Sequence, residues 1–340
     1  MDISGNMSKY FNAVEKGTRW LLQLQNKDGS YGNGVIELEA YYKSPLAFAE
    51  TNHVLQGQKV IQWIVEKYRT PAGHFYDSLN DISFQRHCDL YQDLWIIWGA
   101  WRLGQFGIAQ TGLDFVLRFF DKTSGGFQSS ITDDISTARR ELRSTALGGL
   151  VSLITGNIEV AKAAGEFLAK IIDMQPGPTL GFFLMLDANG KLVTDFPVEE
   201  ERFFVVTSRQ KQPLYYALGL AVAFLAKLSY ITHEPQYITI AQKYLSICER
   251  YGIEILQHHY SGKLGWGLAM LYNITGEIKY KELAFVVLEY LAELQFPTGE
   301  WLLRNLFPNL REQPFVLTID RTAEFSIWLT YILNELSGKK

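Results

Sequence analysis

The sequence predicts an all-α fold, an (α/α)6-type toroid in which antiparallel helices form a double ring, and three observations predict it. Apolar residues recur with helical spacing along most of the 340 residues. Short turns alternate with long connections, the pattern of repeated αα-hairpins. A phrase also recurs in which an apolar helix end meets a polar turn with glycine and then an aromatic ring. It reads Trp20–Tyr31, then Phe120–Phe127, then Leu294–Trp301. Self-similarity of this kind marks a helical array.

The first of eleven predicted helices runs from about Ser8 to Gln25. The second opens at Ser44-Pro45, with Ser44 as cap and Pro45 at the first position, and reaches Tyr68 before Pro71-Ala72-Gly73. The third starts near Phe84 and carries Trp95, Trp98 and Trp101 on one face, and Gly104–Gly107 turns it into a fourth that ends near Asp121. The fifth spans Thr137–Ile154 and the sixth Ile158–Met174; the seventh spans Pro213–Ile231 and the eighth reaches Ile255. The ninth covers Gly262–Ile274, the tenth reaches Gln295 and the eleventh spans Asp320–Leu336. Hairpin turns join the third to the fourth, fifth to sixth, seventh to eighth and ninth to tenth. The long connections 27–43, 70–83, 122–136, 175–211 and 296–318 must then gather at the opposite end.

A closed ring needs inner helices crowded on both sides. Ala146–Val151, Ala217–Ala223 and Gly265–Met270 have that small, apolar character, whereas the eighth helix is amphipathic, with Ile238, Ala241, Tyr244 and Leu245 opposite Gln242, Lys243 and Glu249. The expectation is one domain over 1–340, with 175–211 as a lid. Within it Phe182–Met185 and Phe203–Val206 read as a β-hairpin around Asp187–Gly190.

A net charge of −4 leaves no basic field, which argues against nucleic acid or anionic lipid as main partner. Cys88 and Cys248 are isolated and read as core thiols. The N-terminus lacks a basic segment followed by an apolar run, and no apolar run reaches the ~20 residues of a membrane span. A cytoplasmic protein with no transmembrane segment is therefore expected. No metal or other cofactor is expected either: His87-Cys88-Asp89 splay by about 100° per residue on a helix, and His258-His259 shares that defect.

Gln25-Asn26-Lys27-Asp28-Gly29-Ser30-Tyr31 resembles the Gln-x-x-Asp-Gly-Ser-Trp repeat of the squalene-hopene cyclase and terpenoid cyclase group, with Tyr31 in place of tryptophan. Gln295–Trp301 is similar to a degenerate copy. The resemblance implies an (α/α) ring over most of the chain, in which Gln25 caps a helix end and the aromatic covers the turn. It also implies an apolar, prenyl-derived small-molecule substrate. That group protonates an alkene with Asp-x-Asp-Asp; the nearest string here is Ile131-Thr132-Asp133-Asp134, whose first position is Ile131. A milder acid acting on an epoxide, a carbonyl or a conjugated system is the corresponding expectation.

In such a ring the first turns of the inner helices line the cavity mouth. Asp89 and Asp93 are four apart, and two close carboxylates raise one pKa into the range of a useful acid. Acids in a first turn are equally explained by the helix dipole, at roughly 0.3–1 kcal/mol each. Asp320 and Glu324 repeat the spacing, with Asp320 also a candidate N-cap. His259 starts the ninth helix and either donates a hydrogen bond there or meets substrate. The catalytic candidates are thus Asp89, Asp93, His259 and Glu324. For substrate contact the candidates are Trp95, Trp98, Arg143, Arg209, Tyr216, Trp266, Phe183 and Phe204, whose rings either steady a developing cation or belong to the core.

The leading expectation is a terpenoid-cyclase-like enzyme that cyclises or isomerises an apolar substrate by acid–base chemistry. The alternatives are a carbohydrate-active (α/α) barrel acting as hydrolase, lyase or epimerase, with Arg139, Arg140 and Arg143 suited to a uronic acid, and a non-catalytic helical scaffold.

Overall fold

The computed structural model describes residues 3–78, 87–132, 134, 137–177 and 180–338. Among the described residues are thirteen α-helices and four two-residue strands. The chain divides into two compact units: Met1–Asp81, Gln92–Phe115 and Glu282–Lys340 form unit 1, and Ile82–Tyr91 with Val116–Lys281 forms unit 2.

In unit 1, α1 (Ile3–Leu24) packs on α13 (Phe315–Leu336), α13 on α2 (Ser44–Glu50), and α2 on α3 (Val54–Tyr68). Most of α4 (Tyr91–Arg102), α5 (Phe106–Leu117) and α12 (Ile278–Glu293) belongs to the same unit. The single helix expected from 44 to 68 is two, because Asn52 takes a left-handed φ of 64° and interrupts the hydrogen-bond ladder. Pro45 sits in the first turn as expected, but the N-cap is Lys43, and Ser44 is the first helical residue. Two other helix starts differ from the sequence pattern. His87 has φ 62°, so no helix runs from Phe84 through it, and α4 begins at Tyr91; residues 79–86 lie outside the described residues. α13 begins at Phe315, which places Asp320 inside the helix and not at its N-cap.

In unit 2, α6 (Leu142–Ile154), α9 (Tyr216–Thr232) and α11 (Gly262–Thr275) are buried over nearly their whole surface. α7 (Ile158–Asp173) and α10 (Gln236–Glu249) bury one face only. α9 packs against α6, α10 and α11, and α6 against α7, so the small, apolar helices are the inner ones, as their composition predicts. α6 starts at Leu142, later than expected, because Arg140–Glu141 forms β1, antiparallel to β3 (Met185–Leu186). β2 (Phe182–Phe183) pairs with β4 (Val205–Val206), so the outer ends of the expected hairpin do meet. Met185–Leu186 pairs with β1 instead, Phe203 and Phe204 belong to the short helix α8 (Glu201–Phe204), and a tighter turn around Asp187–Gly190 closes through a Leu186–Leu192 bridge.

The recurring phrase is a structural clasp. Gln25 bridges to Tyr31, Phe120 to Phe127 and Gln295 to Trp301, and a fourth copy, not apparent in the sequence, joins Arg69 to Phe75. The closing rings Tyr31, Phe75, Phe127 and Trp301 are all buried. The glutamines reach across to a neighbouring helix: Gln25 Nε2 donates to the Gln56 carbonyl at 2.9 Å, and Gln295 Nε2 to the Ala13 carbonyl at 2.8 Å and also back to the Gly299 carbonyl of its own turn at 2.8 Å. In the copy of unit 2, Gly125 has φ +77°, and a Cβ there would lie 2.2 Å from the Ala163 carbonyl oxygen of α7.

Gly125→Ala therefore adds a steric clash to a left-handed backbone and is expected to cost about 3 kcal/mol or more. At Gly156 the φ is +90° but nothing lies within 4 Å, so Gly156→Ala should cost only about 1 kcal/mol. Urea midpoints of the two variants check this; equal losses would show that the close approach to α7 contributes nothing.

Candidate active site

Unit 1 gathers its buried charges where the start of α2 meets the first turns of α13. Lys43 Nζ lies 2.9 Å from Asp320 Oδ1 and donates to Glu324 Oε2 at 2.7 Å, with all three side chains at most 3% exposed. Arg321 donates through Nη1 to the same Glu324 oxygen, and its Nε lies 3.6 Å from Asp320 Oδ2. The other Glu324 oxygen accepts from Trp328 Nε1 at 3.1 Å. Asp320 and Glu324 share one helix face by their i, i+4 spacing, so one ammonium reaches both.

The indoles form the floor of this cluster. The Lys43 ammonium stands 5.7 Å from the Trp95 ring centroid. Trp95 meets Trp328 edge-on at 5.6 Å and stacks on Trp98 at 5.5 Å, and Trp98 stacks on Tyr331 at 5.8 Å. Trp95, Trp98 and Trp328 are at most 2% exposed.

Glu39 completes the set from the 3-10 turn Leu38–Ala40. Its side chain is half-buried. Burial and the nearby Asp320 carboxylate raise its pKa from 4.5 to about 7, against the opposing pull of Arg321 and Lys43. Two cations, Lys43 and Arg321, are already matched by Asp320 and Glu324. A third carboxyl added to that balanced set keeps its proton near neutral pH. Such a group exchanges protons readily with a substrate, and the neighbouring guanidinium is placed to steady developing negative charge.

The clasp at Trp301 holds α13 in place here. Trp301 N donates to Thr322 Oγ1 at 3.2 Å. Gln313 accepts from Leu303 N at 2.7 Å and donates to the Trp301 carbonyl at 3.2 Å and to Thr318 Oγ1 at 2.9 Å. Thr318 and Thr322 bracket Asp320 and Arg321 on α13, so the turn sets the position of the charges.

The structure disperses the residues singled out in the sequence. Trp95, Trp98 and Glu324 come together in the cluster just described. Asp93 is fully buried and accepts from Phe75 N at 2.8 Å while facing His74 Nδ1 at 3.0 Å; burial pushes its pKa up, and it fastens the Arg69–Phe75 clasp. Asp89 lies in the turn before α4, where its carboxylate accepts from Ile131 N at 3.1 Å, so the two aspartates do not share a helix. Asp133 lies outside the described residues.

In unit 2 Arg143 is wholly buried, donating from Nε to Glu141 Oε1 at 2.6 Å and from Nη1 to Tyr216 OH at 3.2 Å. Glu141 in turn accepts from Ser144 N at 2.7 Å as the N-cap of α6. The Lys263 ammonium stands 5.0 Å from the Tyr216 ring centroid. His259 is buried, its ring 4.2 Å from that of His258 and 4.0 Å from that of Tyr260. Trp266 is buried within α11. Phe183 and Phe204 flank Phe196 at 6.3 and 4.9 Å, with the Arg139 guanidinium 5.2 Å over the Phe204 ring. Arg209 is exposed in the loop after β4 and lines a separate surface cavity.

Glu39, Lys43 and Glu141 were not among the sequence candidates. The available signal was charge within an apolar run, Leu38-Glu39-Ala40-Tyr41-Tyr42-Lys43, where a lysine and a glutamate need partners. Among the described residues no group of three or more His, Cys, Asp or Glu is placed to hold a metal ion.

No family model matches the chain, and no curated protein matches it in sequence. Solved structures do match in fold. A D-mannose isomerase superimposes with a TM-score of 0.72 at 11% identity, over 97% of both chains. A GH76 α-mannanase from Bacteroides thetaiotaomicron gives 0.64 at 11% identity, again over 97% of both chains. The type II terpene cyclase MstE from Scytonema gives 0.57 at 12%, over 98% of this chain and 100% of that one. The fold is the (α/α)6 toroid. At these identities the likeness concerns architecture alone, and the terpenoid cyclases are one group among several that share it.

Because the folded-state pKa of Glu39 is raised, the native state holds an extra proton between pH 4.5 and about 7. Its contribution to stability is therefore lost as pH rises through that window. Urea midpoints measured across it should decline less steeply in Glu39→Gln than in the wild type. Lys43→Met, which leaves Asp320 and Glu324 without their shared ammonium, should cost about 3–5 kcal/mol at pH 7, and adding Asp320→Asn and Glu324→Gln should recover part of that loss.

Proposed function

We propose that the chain is a proton-transfer isomerase or epimerase of a reducing sugar, with Glu39 as the catalytic acid–base group. The observation that carries this reading is a single half-buried carboxyl, titrating near neutrality, beside two cations already neutralised by buried carboxylates. Half-buried Glu39 is the approachable member of the cluster, while Arg321, at 8% exposure, lies just behind it and Lys43, Asp320 and Glu324 are sealed beneath.

In this reading the Glu39 carboxylate takes the proton from the carbon beside the carbonyl of an open-chain sugar. The electron pair moves onto the carbonyl oxygen, where Arg321 steadies the charge. For isomerisation Glu39 returns the proton to the former carbonyl carbon, while the adjacent hydroxyl passes its own proton to that oxygen and becomes the new carbonyl. For epimerisation Glu39 returns it to the original carbon after the enediolate has turned its other face. Glycoside hydrolysis is less well served, because it calls for two carboxyl groups acting across one bond, and Asp320 and Glu324 are each committed to ion pairs. The sugar-directed names of two structural neighbours, D-mannose isomerase and α-mannanase, agree with a polar substrate.

The expected aromatic wall for a prenyl chain is weakened by the sealing of Trp95 and Trp98 into the core. A cyclisation of an apolar substrate keeps one supporting observation, the Phe183, Phe196 and Phe204 group in the 175–211 segment, whose central ring is partly exposed.

Incubation with a panel of aldoses and ketoses in heavy water, followed by NMR, tests the reading. Deuterium is expected beside the carbonyl of at least one sugar. The rate should rise with pH through about 7 as Glu39 ionises, and Glu39→Gln should lower kcat by about 100-fold or more with little change in KM. Exchange in no sugar of the panel, or full activity in Glu39→Gln, would sink it.

A further inference from the structure

Unit 2 carries a cavity of about 500 Å³ that shares no residue with the Glu39 cluster. That volume is in the range of sites for small organic ligands. Its floor is apolar and aromatic, made by Ile172, Phe182, Ile247 and the ring of Tyr251, whose hydroxyl donates to the Val206 carbonyl at 2.9 Å. Its rim is cationic and hydroxylic, with Arg209, Lys243 and Arg250 beside Ser208 and Ser246. Asp173 is the one acid in the lining, and it is tied to Lys243 at 2.7 Å. The guanidinium groups of Arg209 and Arg250 have no carboxylate partner among the described residues, so the rim keeps two uncompensated positive charges.

We infer that this cavity is a second binding site, for a sugar-sized ring bearing an oxyanion: a carboxylate, sulfate or phosphate. Tyr251 and Ile247 take the ring by its apolar face, the serine hydroxyls meet ring hydroxyls, and Arg209 and Arg250 converge on the anion. Arginine forks suit planar and tetrahedral oxyanions alike. The surroundings explain the arrangement: Arg209 is carried by the turn after β4 and Arg250 by the C-terminal end of α10, so pairing of β4 with β2 is what sets one arginine beside the other helix.

Isothermal titration at low ionic strength tests this with glucuronate, glucose 6-sulfate, glucose 6-phosphate, glucose and inorganic phosphate, on the wild-type chain and on the Arg209→Ala/Arg250→Ala double variant. Both arginines are exposed, so the variant should fold, which circular dichroism verifies. The sugar anions should bind the wild type and lose at least about 10-fold in affinity in the variant, while any binding of neutral glucose is the same in both proteins. The strongest of the three anions identifies the group. Equal affinity of the two proteins for every anion, or no anion binding to the wild type, would overturn the site. Inorganic phosphate binding as tightly as glucose 6-phosphate would overturn the role of the aromatic floor. Because the comparison is between proteins that both keep Glu39, failure here leaves the isomerase reading standing, and the reverse also holds.

Discussion

The ammonium of Lys43, held between Asp320 and Glu324, is the contact on which unit 1 depends. Each of these charges would be costly to bury alone, and together with Arg321 they form a balanced set of two cations and two anions. The balance has two effects. It ties the start of α2 to α13 at a defined register. It also places the Asp320 carboxylate beside Glu39, which adds to burial, the larger cause, in raising the Glu39 pKa to about 7 against the pull of Arg321 and Lys43. Structure and chemistry thus have one origin, a lysine at the N-cap of a helix whose proline fixes where the chain turns.

The clasps explain how the charges are kept in register. Each consists of a helix end, a glycine turn and a buried aromatic, and where a glutamine is present its amide reaches a carbonyl of the neighbouring helix. At Trp301 the clasp bonds directly to Thr322, and Gln313 carries the same connection to Thr318, one turn away along α13. The repeat contributes no titrating side chain to the cluster. It nonetheless determines where Asp320, Arg321 and Glu324 stand.

Much of the fold was legible because it rests on periodicity and on turn chemistry. The inner helices α6, α9 and α11 were identified by their small, apolar composition, and the clasps at Tyr31, Phe127 and Trp301 by their order of residues. Helix starts were less legible, because backbone conformations decided them. Left-handed Asn52 split one helix and left-handed His87 delayed another, and neither residue type demands that conformation. The β1–β3 pairing removed Arg139 and Arg140 from α6, a long-range contact with no local signature. Of the residues that gather around Lys43, the sequence singles out Glu324 as a catalytic candidate and Trp95 and Trp98 as substrate contacts, although both indoles are sealed into the core, and Asp320 and Arg321 lie close by in sequence. Asp89 and Asp93 looked like an acid pair because their spacing suits a helix, but Asp89 precedes it and Asp93 serves the Phe75 clasp. Nothing local marks Glu39, because its raised pKa comes first from burial and then from Asp320 of α13, some 280 residues away in sequence.

The central claim is that a polar substrate reacts at Glu39, and a crystal structure of the chain with a sugar alditol, which mimics the open-chain form and cannot isomerise, tests it most directly. The account predicts the alditol on the approachable side of the cluster, with hydroxyls within hydrogen-bonding distance of the Glu39 carboxyl and the Arg321 guanidinium. An alditol bound only elsewhere, or a prenyl ligand accepted at the Phe183, Phe196 and Phe204 group while alditols are refused, would contradict it.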